Sequence, residues 1–149
     1  YHTYDLPVVI TRCSNNYGQF QFPEKFIPLM IINALNNKKL PVYGDGMNVR
    51  DWIYVIDHNK AISLVLEKGK VGEVYNIGSG VGVKMQDLLA MLVTQAKKPI
   101  KIEVDSTRLR PLDIPMIVAN NDKITALGWK PKVSLEKSLQ QVVAYWRTL

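Results

Sequence analysis

Leu6-Pro7-Val8-Val9-Ile10-Thr11-Arg12-Cys13-Ser14-Asn15-Asn16-Tyr17-Gly18 reads as a strand that runs out into a polar turn. Val8, Val9, Ile10 and Thr11 are branched at Cβ and favour extended backbone. The run does not alternate with polar residues. Such a strand is buried on both faces, usually in a parallel sheet of several strands. Further strand candidates lie at residues 52–55, 73–77, 100–104 and 116–118, all short and set between helices. They are too few to cover residues 8–13. The expected class is therefore α/β, with a first strand made for a sheet whose other strands lie ahead of Tyr1. Ser14, Asn15 and Asn16 sit where that strand ends, the place where open α/β sheets hold ligands. Their side chains suit a phosphate oxygen or a nicotinamide carboxamide, and equally suit an ordinary turn.

Outward from this stretch the chain alternates helices with short strands. Pro23 opens a helix over residues 24–37 with Phe26, Ile27, Met30 and Leu35 on its buried face, and Pro28 falls in the early turns where a missing N–H is tolerated. Lys25, at the start, either reaches a ligand above the preceding turn or is simply exposed. Asp57 is read as the N-cap of a helix over 58–68, stopped by Gly69, with Ala61, Ile62, Val65 and Leu66 inward. His58 has no serine, cysteine or metal-ligand spacing beside it and is read as structural. The strand at 73–77 runs into Gly78-Ser79-Gly80-Val81-Gly82-Val83 and a helix over 84–96. Val83 stands where the dinucleotide fingerprint needs its third glycine, so a tight turn is the better reading, with Asn76 facing a ligand. Glu103 loses its role as a ribose acid with it. A short helix follows at 122–127, closed by Gly128. Ser134 caps the last helix, whose Leu135, Leu139, Val142, Val143 and Trp146 form one buried stripe.

Two segments present arginines. Val42-Tyr43-Gly44-Asp45-Gly46-Met47-Asn48-Val49-Arg50-Asp51-Trp52-Ile53-Tyr54-Val55 hinges on two glycines and delivers Arg50 to an aromatic, β-branched strand. A guanidinium so supported suits a phosphate or diphosphate. The competing reading is a surface hairpin in which Arg50 pairs with Asp45 or Asp51. Arg108-Leu109-Arg110-Pro111-Leu112-Asp113-Ile114-Pro115 is stiffened by its prolines. Arg110 and Asp113 there suit a phosphate and a ribose diol, or each other.

The 149 residues are 47% hydrophobic, enough for one domain with its own core, and 19 Lys and Arg against 13 Asp and Glu leave a formal charge of +6. The excess favours an anionic partner. Its even spread, without a basic run, points to a small anion rather than nucleic acid. Cys13 is the one cysteine, which excludes an internal disulfide and zinc-finger spacing and suits a reducing, cytoplasmic setting. No apolar run approaches the roughly 20 residues of a membrane span, and residues 1–5 lack a signal-peptide layout.

Cys13-Ser14-Asn15-Asn16-Tyr17-Gly18, Phe22-Pro23-Glu24-Lys25-Phe26-Ile27-Pro28-Leu29, the Val42 to Val55 stretch, Tyr75-Asn76-Ile77-Gly78 and Leu127-Gly128-Trp129-Lys130-Pro131 together resemble the nucleoside-diphosphate-sugar 4,6-dehydratases, with the dTDP-glucose enzymes nearest in pattern. These are extended short-chain dehydrogenase/reductases. The resemblance implies a substrate-binding lobe at 19–149, preceded at 1–18 by the last strand of a Rossmann domain whose remainder is absent. It implies NAD as cofactor, with Ser14 and Asn16 near the nicotinamide, and a nucleotide-diphosphate sugar as ligand. Asn15, Lys25, Pro41, Tyr43, Arg50, Asn76 and Arg110 then contact that ligand, Arg50 and Arg110 at the diphosphate. No catalytic residue, metal, nucleic acid or membrane is implied for this chain, and full-length members are expected to be homodimers. Arg110-Pro111-Leu112-Asp113 departs from the Arg-Pro-Gly-His-Asp of dTDP-glucose dehydratases and is similar to the Arg-Pro-x-Asp of epimerases and GDP-sugar enzymes. Asp113 in that pattern bonds a ribose, which leaves the nucleobase open, as it does 4-epimerase or 4-reductase chemistry and a non-catalytic nucleotide-binding module.

Overall fold

A computed structural model describes residues 1–97, 102–105 and 113–149. The opening run is extended over Ile10–Cys13 (β1) and again, past Ser14, over Asn15–Tyr17 (β2). One stretch thereby feeds two sheets. β1 runs parallel to Val74–Ile77 (β5), and β2 runs parallel to Val49–Tyr54 (β4). Ser14 N donates to Ile77 O at 2.9 Å, so the break between β1 and β2 is itself bonded. β4 also takes Gly82–Lys84 (β6) antiparallel and Met116–Ile117 (β8) parallel, while Leu40–Tyr43 (β3) pairs parallel with Ile102–Asp105 (β7). The helices are Phe26–Leu35 (α1), Val55–Lys68 (α2), Met85–Ala96 (α3), Asp122–Ala126 (α4) and Leu135–Trp146 (α5).

β4 is the wall between two cores, and the reason is its period of two. Trp52 and Tyr54 point into a cluster with Tyr17, Met30, Ile31, Leu88, Leu92, Leu139 and Val142, which gathers α1, α3 and α5. Ile53, between them, joins Ala61, Val65, Tyr75, Ile77, Ile124 and Trp129 on the other side. Tyr17 meets the Trp52 ring edge-on at 6.4 Å, and its hydroxyl shares a buried 2.5 Å hydrogen bond with Ser138 Oγ on α5. Burial pushes the Tyr17 hydroxyl up to about 12 although the Ser138 bond acts the other way, so it stays protonated.

Several expectations are corrected. All four residues of β1 are exposed rather than buried, because β5 is its one neighbour among the described residues. α2 starts at Val55, not His58, and Asp57 is no N-cap. It lies in the first turn with 1% exposure, where Oδ2 accepts from the backbone N of Lys132 and Val133 at 2.8 and 2.9 Å. Gly69 ends α2 in an extended conformation rather than the left-handed one usual for a glycine stop, and Leu66 is 74% exposed, not inward. β6 stands between the glycine turn and α3, so the strand-loop-helix order of a dinucleotide site is broken, and Glu103 pairs with Lys39 at 2.8 Å. The caps and stripes fare differently. Ser134 Oγ accepts from Lys137 N at 3.3 Å, and Leu139, Val142 and Val143 are buried. Among the described residues no helix is long and apolar enough to cross a membrane, and no His, Cys, Asp or Glu cluster could hold a metal.

Candidate functional site

The loop before β4 is built to place Arg50. Gly44 and Gly46 both have positive φ, 63° and 72°, and a Cβ on Gly46 would lie 3.0 Å from Val42 and 3.3 Å from Gln86. Met47 N donates to Asp45 Oδ1 at 2.9 Å, and the loop's Gly46 O and Asn48 O accept from Gln86 N and Met85 N at 3.0 Å each. The turn is thus tied to the N-terminal end of α3. Arg50 lies within β4, not before it, opposite Val83 of β6 and Ile117 of β8. Its side chain keeps only 15% exposure.

Neither predicted partner holds Arg50. Its Nη1 donates to Val49 O at 2.9 Å and its Nη2 to Asp113 Oδ1 at 2.7 Å, while Asn48 Nδ2 donates to Asp113 Oδ2 at 2.5 Å. Asp45 makes the local turn described above. Asp51 has a different task, which sequence reasoning missed. At 1% exposure it accepts from Ser79 N, Ser79 Oγ, Gly80 N, Ala119 N and Ser14 Oγ at 2.7, 2.6, 3.1, 3.1 and 3.2 Å. A buried carboxylate is tolerated when donors surround it, and here they come from three separate segments. Gly78 passes so close that a Cβ would sit 2.4 Å from Asp51 Oδ2.

Through Asp51 the Arg50 strand is joined to the turn after β1. Ser14 is bound to Asp51, Asn15 is exposed opposite Trp52, and Asn16 points its amide at α2, where Nδ2 lies 2.5 Å from His58 Nδ1. Nδ1 of the neutral imidazole is the acceptor. Burial lowers the His58 pKa, in keeping with that neutral form. Asn16 Oδ1 is buried without a partner among the described residues. Asn76 is exposed on β5 opposite Arg12, beside the same strand end. The fold therefore sets Ser14, Asn15 and Asn16 along the end of one strand with Asn76 on the neighbouring β5, pairs Arg50 with Asp113, and ties Ser14 to the Arg50 strand through Asp51. Lys25, exposed at the N-cap of α1, and Pro41 of β3 stand on other elements. Arg110 and the Tyr43 side chain lie outside the described residues.

An arginine-bearing central strand beside a serine-asparagine strand end, on this α/β topology, is the arrangement of the extended short-chain dehydrogenase/reductases. Solved structures of that class superpose on nearly the whole chain. The dTDP-glucose 4,6-dehydratase of Bacillus anthracis in complex with NAD has a TM-score of 0.92 at 45% identity, over 99% of this chain and 47% of that one. The UDP-glucose 4-epimerase of Thermotoga maritima with UDP-glucose has a TM-score of 0.92 at 32% identity, over 99% and 48%. The dTDP-glucose 4,6-dehydratase of Shigella flexneri is 41% identical over 152 residues, 97% of this chain and 42% of that protein. The chain belongs to the GDP-mannose 4,6-dehydratase family, whose model matches residues 1–142. It spans less than half the length of these relatives.

Proposed function

We propose that this chain is the nucleotide-sugar-binding part of an NAD-dependent nucleoside-diphosphate-sugar 4,6-dehydratase, with residues 1–18 belonging to the cofactor domain and 19–149 mainly to the substrate lobe. The observation that carries this reading is Arg50, a guanidinium fixed on a central strand and already gripping an anion, the Asp113 carboxylate, at 2.7 Å. A diphosphate oxygen is an anion of the same kind. Arg50 and Arg110 hold the diphosphate, Asp113 accepts from the ribose, and Asn15, Lys25, Pro41, Tyr43 and Asn76 line the rest. The unpartnered, buried Asn16 Oδ1 fits a group that brings an N–H donor, as a nicotinamide carboxamide does. NAD, when bound, supplies the hydride acceptor for oxidation at C4 of the sugar and the donor that returns that hydride to C6 after water is lost across C5 and C6. The chain's own residues are assigned to binding and orienting the ligand and none to the acid or base of the elimination, so the chain alone is expected to be inactive.

Titration calorimetry with UDP, dTDP and GDP tests the reading. At least one should bind, and Arg50→Ala should weaken that binding by about 1.5–3 kcal/mol, the worth of a hydrogen bond to a charged group. A folded sample that binds none, or binding indifferent to Arg50, would sink it. The similarity to a UDP-glucose 4-epimerase and the Arg110 to Asp113 spacing favour a second reading, a 4-epimerase or 4-reductase. Products formed by the full-length protein separate the two.

A further inference from the structure

The anion on Arg50 belongs to the protein itself. Asp113 takes Nη2 through Oδ1 at 2.7 Å and is steadied through Oδ2 by Asn48 at 2.5 Å, while Nη1 is spent on Val49 O at 2.9 Å. The arginine is well covered, its side chain 15% exposed, while the Asp113 side chain stands more open at 34%. Arginine grips phosphate through paired N–H groups, and here one of each terminal pair is engaged.

We infer that Asp113 is a resident counter-ion that must leave Arg50 before a diphosphate can bind, and that Asn48 is the positioning residue that keeps it there. The inference rests on the reading of Arg50 as the diphosphate site. A bare diphosphate that displaces Asp113 strands a carboxylate beside a new anion, and like charges at close range oppose binding. A nucleoside diphosphate relieves this, because its ribose hydroxyls give the displaced carboxylate new donors. The ion pair thus makes the site selective for ligands carrying both parts, against free pyrophosphate, and Asp113 becomes a specificity determinant rather than one more contact.

The experiment is titration calorimetry of the chain with inorganic pyrophosphate and with UDP. Asp113→Asn should bind pyrophosphate about tenfold more tightly than the unaltered chain, equivalent to ~1.4 kcal/mol. Asn48→Ala, which keeps every charge, should tighten pyrophosphate about threefold, a gain that a merely structural asparagine would not produce. Asp45→Asn removes one negative charge from the turn that carries Asn48, where Asp45 makes no bond to Arg50, and should leave pyrophosphate within about twofold. Equal tightening by Asp45→Asn and Asp113→Asn would reduce the effect to general charge and overturn the proposal. So would unchanged pyrophosphate affinity in Asp113→Asn while UDP binding still depends on Arg50; the diphosphate site would then stand and the counter-ion role would fall. Folded protein, by circular dichroism, that binds neither ligand with or without Asp113 would overturn both readings.

Discussion

Asp51 carries more of the structure than its place beside Arg50 suggests. Five donors converge on it at 1% exposure. Asp51→Asn puts an NH2 group among N–H donors, and the expected loss is about 2–4 kcal/mol of unfolding free energy, the desolvation cost of one or two orphaned groups. Urea unfolding measures it. His58 gives a pH-dependent counterpart. Its folded pKa lies below the ordinary value near 6.5, so the unfolded chain takes up the proton first as pH falls. The stability it confers is complete above about pH 6.5 and drains away as pH drops toward the folded value. Urea midpoints at pH 7.5 and 5.5 should therefore fall further apart in the unaltered chain than in His58→Asn, whose amide still meets Asn16; equal gaps would remove His58 as the cause. Arg50 was legible as an anion holder because two glycines and a β-branched strand frame it. Its partner was not. Asp113 lies 63 residues away, and no local pattern pairs residues at that distance.

At the scale of elements, the helices with strong stripes were the readable ones. α5 buries Leu139, Val142 and Val143 along the predicted face, and Leu139→Ala should cost about 2–4 kcal/mol through the cavity it leaves, read as a lower thermal midpoint. β2 and β6 were missed because three residues are too short to display a period, and β3 because Pro41 interrupts it. β1 was legible as a strand but its burial was not, since burial depends on neighbours rather than on the run itself. The start of α2 was misplaced by three residues because Asp57 looks like a cap in sequence. Its carboxylate instead serves the 132–133 backbone, a tertiary use that propensity does not encode.

For the whole molecule, charge and connectivity set the expectations. With a formal charge of +6 and a half-hidden arginine as anchor, affinity for a nucleoside diphosphate should fall as salt rises from about 50 to 200 mM, the range over which screening shortens to roughly 7 Å. Affinity independent of salt would assign binding to the base and sugar instead. The family likeness extends along nearly the full chain while the chain covers under half of its relatives, so the likeness by itself assigns this chain no catalysis. The Asp51 knot also has a consequence for how the molecule assembles. Its donors lie 28, 29, 37 and 68 residues from it, so the bonds can close only after several long loops have been drawn together. Asp51 should then be bare in the folding transition state, with a φ-value near zero. Its loss should leave the refolding rate almost unchanged and hasten unfolding, which makes this carboxylate a late bolt on the native state and a setting of its lifetime.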